Sequence, residues 1–190
     1  MKNIKLAFSL CGSFCTLSRA IEQMEKLAES GYDILPIMSF NAYNLDTKFG
    51  PAKDFINKIE NISGKKVLNS LVEVEPIGPK NLADIMLICP CTGNTLSKIC
   101  RATTDTPVTL GAKSHLRKGR PLVISLATND GLSGSAVNVG KALNMKSIYF
   151  VPLSQDDPSN KPSSLVAHFD LVYETLQQAL LGKQIQPIFR

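Results

Sequence analysis

The central stretch of the chain, ADIMLICPCTGNTLSK at residues 83–98, joins an apolar run to a series of small polar side chains. Its apolar residues 85–88 are typical of a strand that is buried on both faces. Thr92, Asn94 and Thr95 follow, and their hydroxyl and amide groups can bond a polar ligand. In a parallel α/β sheet, ligands bind where strands end and helices begin, and a helix N-terminus favours anions. The stretch therefore predicts a ligand site that accepts an anionic group.

Three more predicted strands end in small polar residues. Glycine, hydroxyl and amide positions bond a ligand or let the backbone come close to it, yet they carry no charge. This composition suits a flat, polar-edged ligand with a phosphate better than acid–base chemistry at a metal. A Gly-Ser turn that opens a helix is also a common tight turn, so both interpretations remain open for the first of these ends. The three ends are Gly12-Ser13, Ser39-Phe40-Asn41-Ala42 and Thr128-Asn129-Asp130-Gly131-Leu132-Ser133-Gly134-Ser135.

The order of predicted elements defines the fold class. Apolar strands alternate with stretches whose apolar residues recur every three or four positions, which indicates β-α-β units with parallel pairing. We predict a three-layer α/β domain around a doubly wound parallel sheet, flavodoxin-like or Rossmann-like, over residues 1–183, with a tail at 184–190. Residues 67–77 fit a strand or irregular chain, and residues 165–181 predict a closing helix. The strands are predicted at residues 4–11, 32–39, 85–88, 122–127 and 148–151.

Composition and charge exclude several classes of protein. The 190 residues, of which 44% are hydrophobic, suffice for one domain with a sizeable core. Nucleic-acid binding is not expected, because the net charge of +5 is modest and basic residues do not alternate with aromatic ones. No apolar run approaches the roughly 20 residues of a membrane span, and no signal peptide is evident, so a cytoplasmic protein is predicted. The basic cluster at residues 113–120 is typical of a solvated helix face, with a phosphate or partner site as the alternative.

The cysteines and ionisable residues give no catalytic assignment. Five cysteines, an odd number without a zinc spacing, indicate a reduced compartment and no metal site. Small buried thiols are the plain interpretation, and a ligand that faces Cys11, Cys15 or Cys91 is the alternative. No pair of nucleophile and base is evident. Asp130 follows a strand but has no partner nearby in the sequence.

The central motif resembles a known family. Residues 81–98 resemble the PxTANTxxK stretch of the homo-oligomeric flavin-containing cysteine decarboxylases. This resemblance covers about residues 4–150 and implies a flavodoxin-like fold, an FMN cofactor and a homo-oligomer. Two departures count against decarboxylation: ATNDG at residues 127–131 replaces the family's PxMN substrate clamp, and no counterpart of its catalytic histidine precedes residue 80. The residues that carry the match are Pro90, Thr92, Asn94, Thr95 and Lys98.

The resemblance also implies which residues bind FMN. The Gly12-Ser13 turn and Ser39 would hold the phosphate, and residues 92–95 would bond the ribityl chain or the ring edge. The Asn94 amide can donate and accept at once, which suits a flavin edge, although it could instead cap its helix. Lys98 could approach a phosphate or be a solvated helix residue. The implied set is Gly12, Ser13, Phe14, Ser39, Asn41, Pro90, Thr92, Asn94, Thr95, Lys98, Thr128 and Asn129, which Ser133 and Ser135 could complete.

A second resemblance covers essentially the whole chain. Residues 130–152 and 155–171 resemble the B subunits of a two-subunit oxidoreductase family of spore-forming bacteria. This resemblance implies a partner A subunit that is similar to nicotinamide-dependent dehydrogenases, and a small dicarboxylate substrate that loses two hydrogens to become aromatic. Cations should face such a dianion, and the candidates are Arg101, Lys161 and the basic cluster. Two other functions stay open, namely a flavin decarboxylase and a non-catalytic interaction subunit that supports the A protein.

Overall fold

Four apolar strands form one continuous parallel part of the sheet. In the computed structural model, which describes residues 3–190, these strands are β1 (Lys5–Leu10), β2 (Asp33–Met38), β3 (Ile85–Cys91) and β4 (Leu122–Thr128). They pair in parallel in the order β2-β1-β3-β4, as the β-α-β pattern predicts. All seven residues of β3 are buried, which explains its continuous apolar sequence.

Helices cover both faces of this sheet. Helices α1, α3 and α8 pack on one face and α5, α6 and α7 on the other, so the predicted three-layer, doubly wound α/β class is confirmed. Within residues 3–190, no helix has both the length and the apolar character needed to cross a membrane. The helices are α1 (Phe14–Glu29), α2 (Phe40–Asn44), α3 (Ala52–Ser63), α4 (Leu71–Val74), α5 (Gly93–Cys100), α6 (Pro107–Leu116), α7 (Ala136–Leu143) and α8 (Val172–Leu180), with 3-10 turns at Glu75–Ile77 and Phe169–Leu171.

The far side of the sheet departs from the prediction. Strand β5 pairs in parallel with the first half of β4, whereas β6 and β7 form an antiparallel hairpin whose second strand joins the last residues of β4. The prediction of one helix over residues 165–181 is wrong, because the first three of these residues pair as a strand and α8 begins only at Val172. The hairpin holds its loop beside the end of β4, where the Leu132 N–H donates to the Ser163 carbonyl at 2.9 Å. The three strands are β5 (Ile148–Phe150), β6 (Leu153–Ser154) and β7 (Leu165–Ala167).

The C-terminal residues 184–190 pack against the sheet. The Gln184 side chain bonds both the N–H and the carbonyl of Phe150 at 2.7 Å. Further along, the Leu153 N–H donates to the Ile188 carbonyl at 2.8 Å, so the chain end runs beside β6. A domain boundary at residue 183 stays a prediction.

The basic cluster at residues 113–120 is only partly a solvated face. Lys113, Arg117 and Lys118 are exposed, as expected, but His115 is fully buried with its Nε2 3.0 Å from the Pro121 carbonyl oxygen. Burial lowers the pKa of His115 to about 4, so the imidazole is neutral in the folded protein at neutral pH. The Arg120 guanidinium donates to the backbone carbonyl of Ala83. These two side chains therefore hold the amino edge of the sheet together.

Candidate functional site

Three helices begin at the carboxyl edge of the sheet. Helices α1, α2 and α5 start directly after β1, β2 and β3. Two adjoining cavities lie there, a larger one of about 640 Å³ and a smaller one of about 380 Å³, and both are lined by Gly12, Thr92 and Asn94. Their position is where the strand-end pattern predicts a ligand.

Helix α5 presents free donors to both cavities. Its N-cap is Thr92, whose Oγ1 accepts the Thr95 N–H at 3.2 Å. The N–H groups of Gly93 and Asn94 belong to the first turn and have no carbonyl partner inside the helix. The alternative that Asn94 caps the helix is therefore wrong. Its exposed side chain stands at the junction of the two cavities, where it can both donate to and accept from a ligand.

The starts of α1 and α2 provide hydroxyl groups on either side of α5. The Ser39 Oγ accepts the Ala42 N–H at 3.4 Å and caps α2. Ser13 begins α1 without a side-chain cap bond, and its Oγ accepts a hydrogen bond from the Thr16 hydroxyl at 3.0 Å. The proton of the Ser13 hydroxyl thus remains available to a ligand. The ring of Phe14 packs over Gly12, where an added Cβ would lie 3.4 Å from its Cζ.

Four of the five thiols are buried. Burial raises the pKa of the Cys11 thiol to about 11. The Thr95 hydroxyl donates a hydrogen bond to its Sγ at 3.3 Å, which lowers the pKa by less than burial raises it. Burial likewise raises the pKa of Cys89 to about 12 and that of Cys91 well above its usual value. Cys91 lines neither cavity, Cys11 contributes a buried wall of the smaller one, and the exposed Cys15 lines the larger one.

The larger cavity is bounded by α1, by the turn after β4 and by the hairpin loop. Arg19 projects from α1, and its Cζ lies 4.6 Å from the centre of the Phe169 ring. Across residues 3–190, Arg19 forms no ion pair. Lys161 lies in the hairpin loop, with its Nζ 3.3 Å from Asp156 Oδ2. Sequence reasoning found Lys161 but missed Arg19, because nothing in the helical pattern of α1 marks one of its exposed positions as facing a cavity.

Asp130 lies on the wall of the larger cavity. It has hydrogen-bond partners there, although the sequence around it indicated none. Its Oδ1 accepts a hydrogen bond from the Thr128 hydroxyl at 2.6 Å, and its Oδ2 accepts one from the Ser135 hydroxyl at 3.0 Å. Gly93 lies directly opposite, since a Cβ there would be 2.6 Å from both hydroxyl oxygens. The turn after β4 and the first turn of α5 are therefore in close contact.

The structure brings most of the predicted site residues to these two cavities. Pro90, Ser133 and Ser135 are the exceptions, because none of the three lines either cavity. Pro90 is buried in β3, and its carbonyl accepts the Cys11 N–H at 3.2 Å. Lys98 lines the smaller cavity while its Nζ lies 2.9 Å from both carboxylate oxygens of Asp105. The larger cavity includes Gly12, Ser13, Phe14, Thr92, Asn94, Thr128 and Asn129, and the smaller one Gly12, Ser39, Asn41, Thr92, Asn94, Thr95 and Lys98.

Other candidates lie elsewhere. Arg101 and the basic cluster line neither cavity of the carboxyl edge; Lys113 and Arg117 flank a separate, largely apolar cavity of about 330 Å³ beside α6. In the part of the chain that the structure describes, no group of three or more His, Cys, Asp or Glu side chains could hold a metal ion.

Known proteins are similar to this chain in sequence and in fold. The sequence profile of the flavoprotein family matches residues 1–165. The B subunit of dipicolinate synthase from Bacillus subtilis (strain 168) is 40% identical over 188 residues, which cover 99% of this chain and 94% of that protein. The crystal structure of the dipicolinate synthase B subunit from Bacillus halodurans C matches with a TM-score of 0.90 at 42% identity, over 98% of this chain and 96% of that one.

A more distant solved structure has the same fold. The FMN-dependent cysteine decarboxylase SpaF matches with a TM-score of 0.70 at 18% identity, over 94% of this chain and 95% of that one. The resemblance to the B subunits is thereby confirmed, and the match to SpaF shows the same fold. The chain belongs to the flavoprotein family and is a homologue of the dipicolinate synthase B subunit.

Proposed function

We propose that the chain is an FMN-binding oxidoreductase subunit, active together with an A subunit, that contributes to the oxidation of dihydrodipicolinate, or of its hydrated precursor, to dipicolinate. The observation that carries this proposal is the set of free donors at the carboxyl edge. Three helix N-termini meet at two joined cavities there, in a chain similar to the dipicolinate synthase B subunit over nearly its whole length.

The residues at this edge fit FMN. A phosphate needs several N–H and hydroxyl donors, which the helix starts at Ser13, Ser39 and Gly93 supply. The polar edge of a flavin needs groups that both donate and accept, and the exposed Asn94 amide meets this need. Bound FMN would supply two-electron redox chemistry, while the protein positions the substrate and sets the electrostatics.

The larger cavity supplies cations for a dicarboxylate. Arg19 is held against Phe169 with no carboxylate partner among the described residues, so its charge is available to an anion. Lys161 forms an ion pair with the exposed carboxylate of Asp156. Such an exposed pair contributes little to stability, so a substrate carboxylate can take the place of Asp156. Phe49 lines the same cavity with 47% of its surface exposed and offers a flat face for a ring.

The same comparison supports an assembly with other chains. The B-subunit name of the relatives supports a complex with an A subunit, which we infer contributes nicotinamide chemistry. We also propose a homo-oligomer in the cytoplasm. Leu132 and Val137, beside the larger cavity's wall, are 50% and 69% exposed, and burial of such side chains would favour association.

The proposal is tested by anaerobic turnover with purified components. The chain loaded with FMN, the A subunit and the substrate should form dipicolinate, and the visible flavin absorbance should fall as substrate is consumed. Arg19→Gln should raise KM more than it lowers kcat, because the guanidinium binds a carboxylate that does not react. Formation of dipicolinate by the A subunit at the same rate with the FMN-free chain would contradict the redox role and leave the interaction-subunit alternative.

A further inference from the structure

The larger cavity holds one carboxylate that no cation neutralises. Of the acidic residues on its walls, Asp156 pairs with Lys161, whereas Asp130 has no Lys, Arg or His within ion-pair distance among residues 3–190. An unpaired carboxylate beside a proposed dianion site opposes ligand binding. The same unpaired carboxylate can accept a proton from a ligand in this cavity.

The local structure fixes this carboxylate firmly. The backbone carbonyl of Asp130 accepts the N–H groups of Ser133 and Ser135, both at 3.0 Å, which closes the turn after β4. The side chain accepts one hydroxyl proton on each oxygen, from Thr128 and from Ser135. Since a carboxylate oxygen accepts two hydrogen bonds, each oxygen keeps one lone pair for a proton.

The position of Asp130 relates it to the proposed cofactor site. An added Cβ on Gly93 would lie 3.0 Å from Asp130 Oδ1, so the carboxylate adjoins the first turn of α5. The next residue of that turn is Asn94, whose amide is proposed to bond the flavin edge. Asp130 and Asn94 therefore line the same cavity on adjoining turns, so one bound ligand can contact both.

We propose that Asp130 is the catalytic base of this cavity, a role that rests on the proposed function. Aromatisation of a dihydro ring removes one proton and one hydride. One ring C–H bond breaks with its proton passing to the Asp130 carboxylate, and its electron pair becomes a ring double bond. A bound flavin or nicotinamide would supply the two-electron acceptor for the second hydrogen and its electron pair. Asp130 then returns its proton to water.

Asp130→Asn separates this role from a structural one. The amide keeps the shape and retains an acceptor for Thr128, while its NH₂ can donate to the Ser135 oxygen, so the turn should persist. We expect kcat to fall by about 100-fold or more, because the amide cannot accept the proton. The affinity for pyridine-2,6-dicarboxylate, measured by calorimetry on the FMN-loaded chain, should rise by about fivefold as the repulsion is removed. Asp170→Asn, an exposed carboxylate outside both cavities, is the matched control.

The outcomes distinguish the two proposals. Unchanged turnover in Asp130→Asn, or a loss that is matched by lower FMN affinity and a lower unfolding temperature, would overturn the role of Asp130 and leave the proposed function standing. Slower turnover with intact FMN binding and tighter dicarboxylate binding would support it. If the wild-type chain bound neither FMN nor pyridine-2,6-dicarboxylate, the proposed function itself would fail, and the inference with it.

Discussion

Both edges of the same sheet carry polar side chains, but those side chains form different kinds of bonds. At the amino edge, the Ser114 hydroxyl donates to the Glu75 carbonyl and accepts the Gly78 N–H, both at 3.0 Å. His115 and Arg120 also bond to backbone carbonyls. At the carboxyl edge, Asn94 and the first-turn N–H groups of α5 face open cavities instead. The hydrogen bonds named at the amino edge thus join parts of the fold, whereas these groups of the carboxyl edge are left for a ligand.

The two edges should respond to opposite perturbations. Changes at the amino edge should alter the free energy of unfolding and leave ligand binding intact, because that edge adjoins neither cavity of the site. Changes to the free donors of the carboxyl edge should alter ligand binding more than stability, because the fold does not need those donors.

The largest effect is expected from pH at the amino edge. Burial holds the pKa of His115 at about 4, below the value of 6.5 for an exposed histidine. Between these values the unfolded chain binds a proton that the folded chain does not, so the free energy of unfolding should decrease as the pH falls from 6.5 to 4, by up to about 3 kcal/mol. Urea unfolding at several pH values measures this decrease.

His115→Gln supplies the comparison for that measurement. The glutamine can still donate to the Pro121 carbonyl but does not titrate, so the pH dependence in this window should flatten. His168→Gln, which removes the other histidine, should retain the dependence. If the free energy of unfolding depended on pH equally in His115→Gln and in the wild type, the buried imidazole would not be the source of that dependence.

A smaller effect on stability is expected where the two walls of the site meet. Gly93→Ala would place a Cβ 2.6 Å from the Thr128 and Ser135 hydroxyl oxygens, which must then turn away from Asp130. We expect a loss of about 1–3 kcal/mol in the free energy of unfolding. Gly140→Ala is the matched control, because nothing lies within 4 Å of that Cβ in the middle of α7 and alanine favours a helix by about 1 kcal/mol. Similar stabilities for both variants would mean that the close approach is not required.

The smallest effect concerns the ion pair on the smaller cavity. If Lys98 contributes to phosphate binding, Lys98→Gln should lower the affinity for FMN by about threefold, as expected for a partly screened charge. Asp105→Asn removes the carboxylate that shares this charge, so it should raise the affinity. Fluorescence titration with FMN measures both. Equal affinities in the two variants would show that Lys98 is only a solvated helix residue.

The carboxyl edge could be predicted from the sequence because its signals are local. A buried strand followed by Thr92 and a helical period defines the junction of β3 with α5, and the hydroxyl cap lies three residues from the N–H that it accepts. The same reasoning located Gly12 and Ser39. The strand-to-helix order thus located most of these residues at one edge of the sheet, and the family resemblance implied their roles.

The contacts that were missed depend on packing between distant segments. The place of Asp130 in the site depends on Gly93, which lies 37 positions earlier in the sequence and packs against the turn of Asp130. The hairpin was mistaken for part of a helix because Leu165–Ala167 is too short to show a period of two, and it is a strand only through its pairing with β4 and β6. His115 fits a basic surface helix in sequence and is buried by its neighbours.

The most direct test of the account is an FMN titration of the purified chain, in which binding is measured by the quenching of flavin fluorescence. We predict saturable binding by the wild-type chain, an affinity lower by at least about tenfold in Asn94→Ala, and an unchanged affinity in Asn144→Ala, an exposed asparagine at the end of α7. The unfolding temperature should be the same in all three, because Thr92 rather than Asn94 caps α5. Absence of saturable binding in the wild type, or equal affinity in Asn94→Ala, would contradict the assignment of this edge as the flavin site.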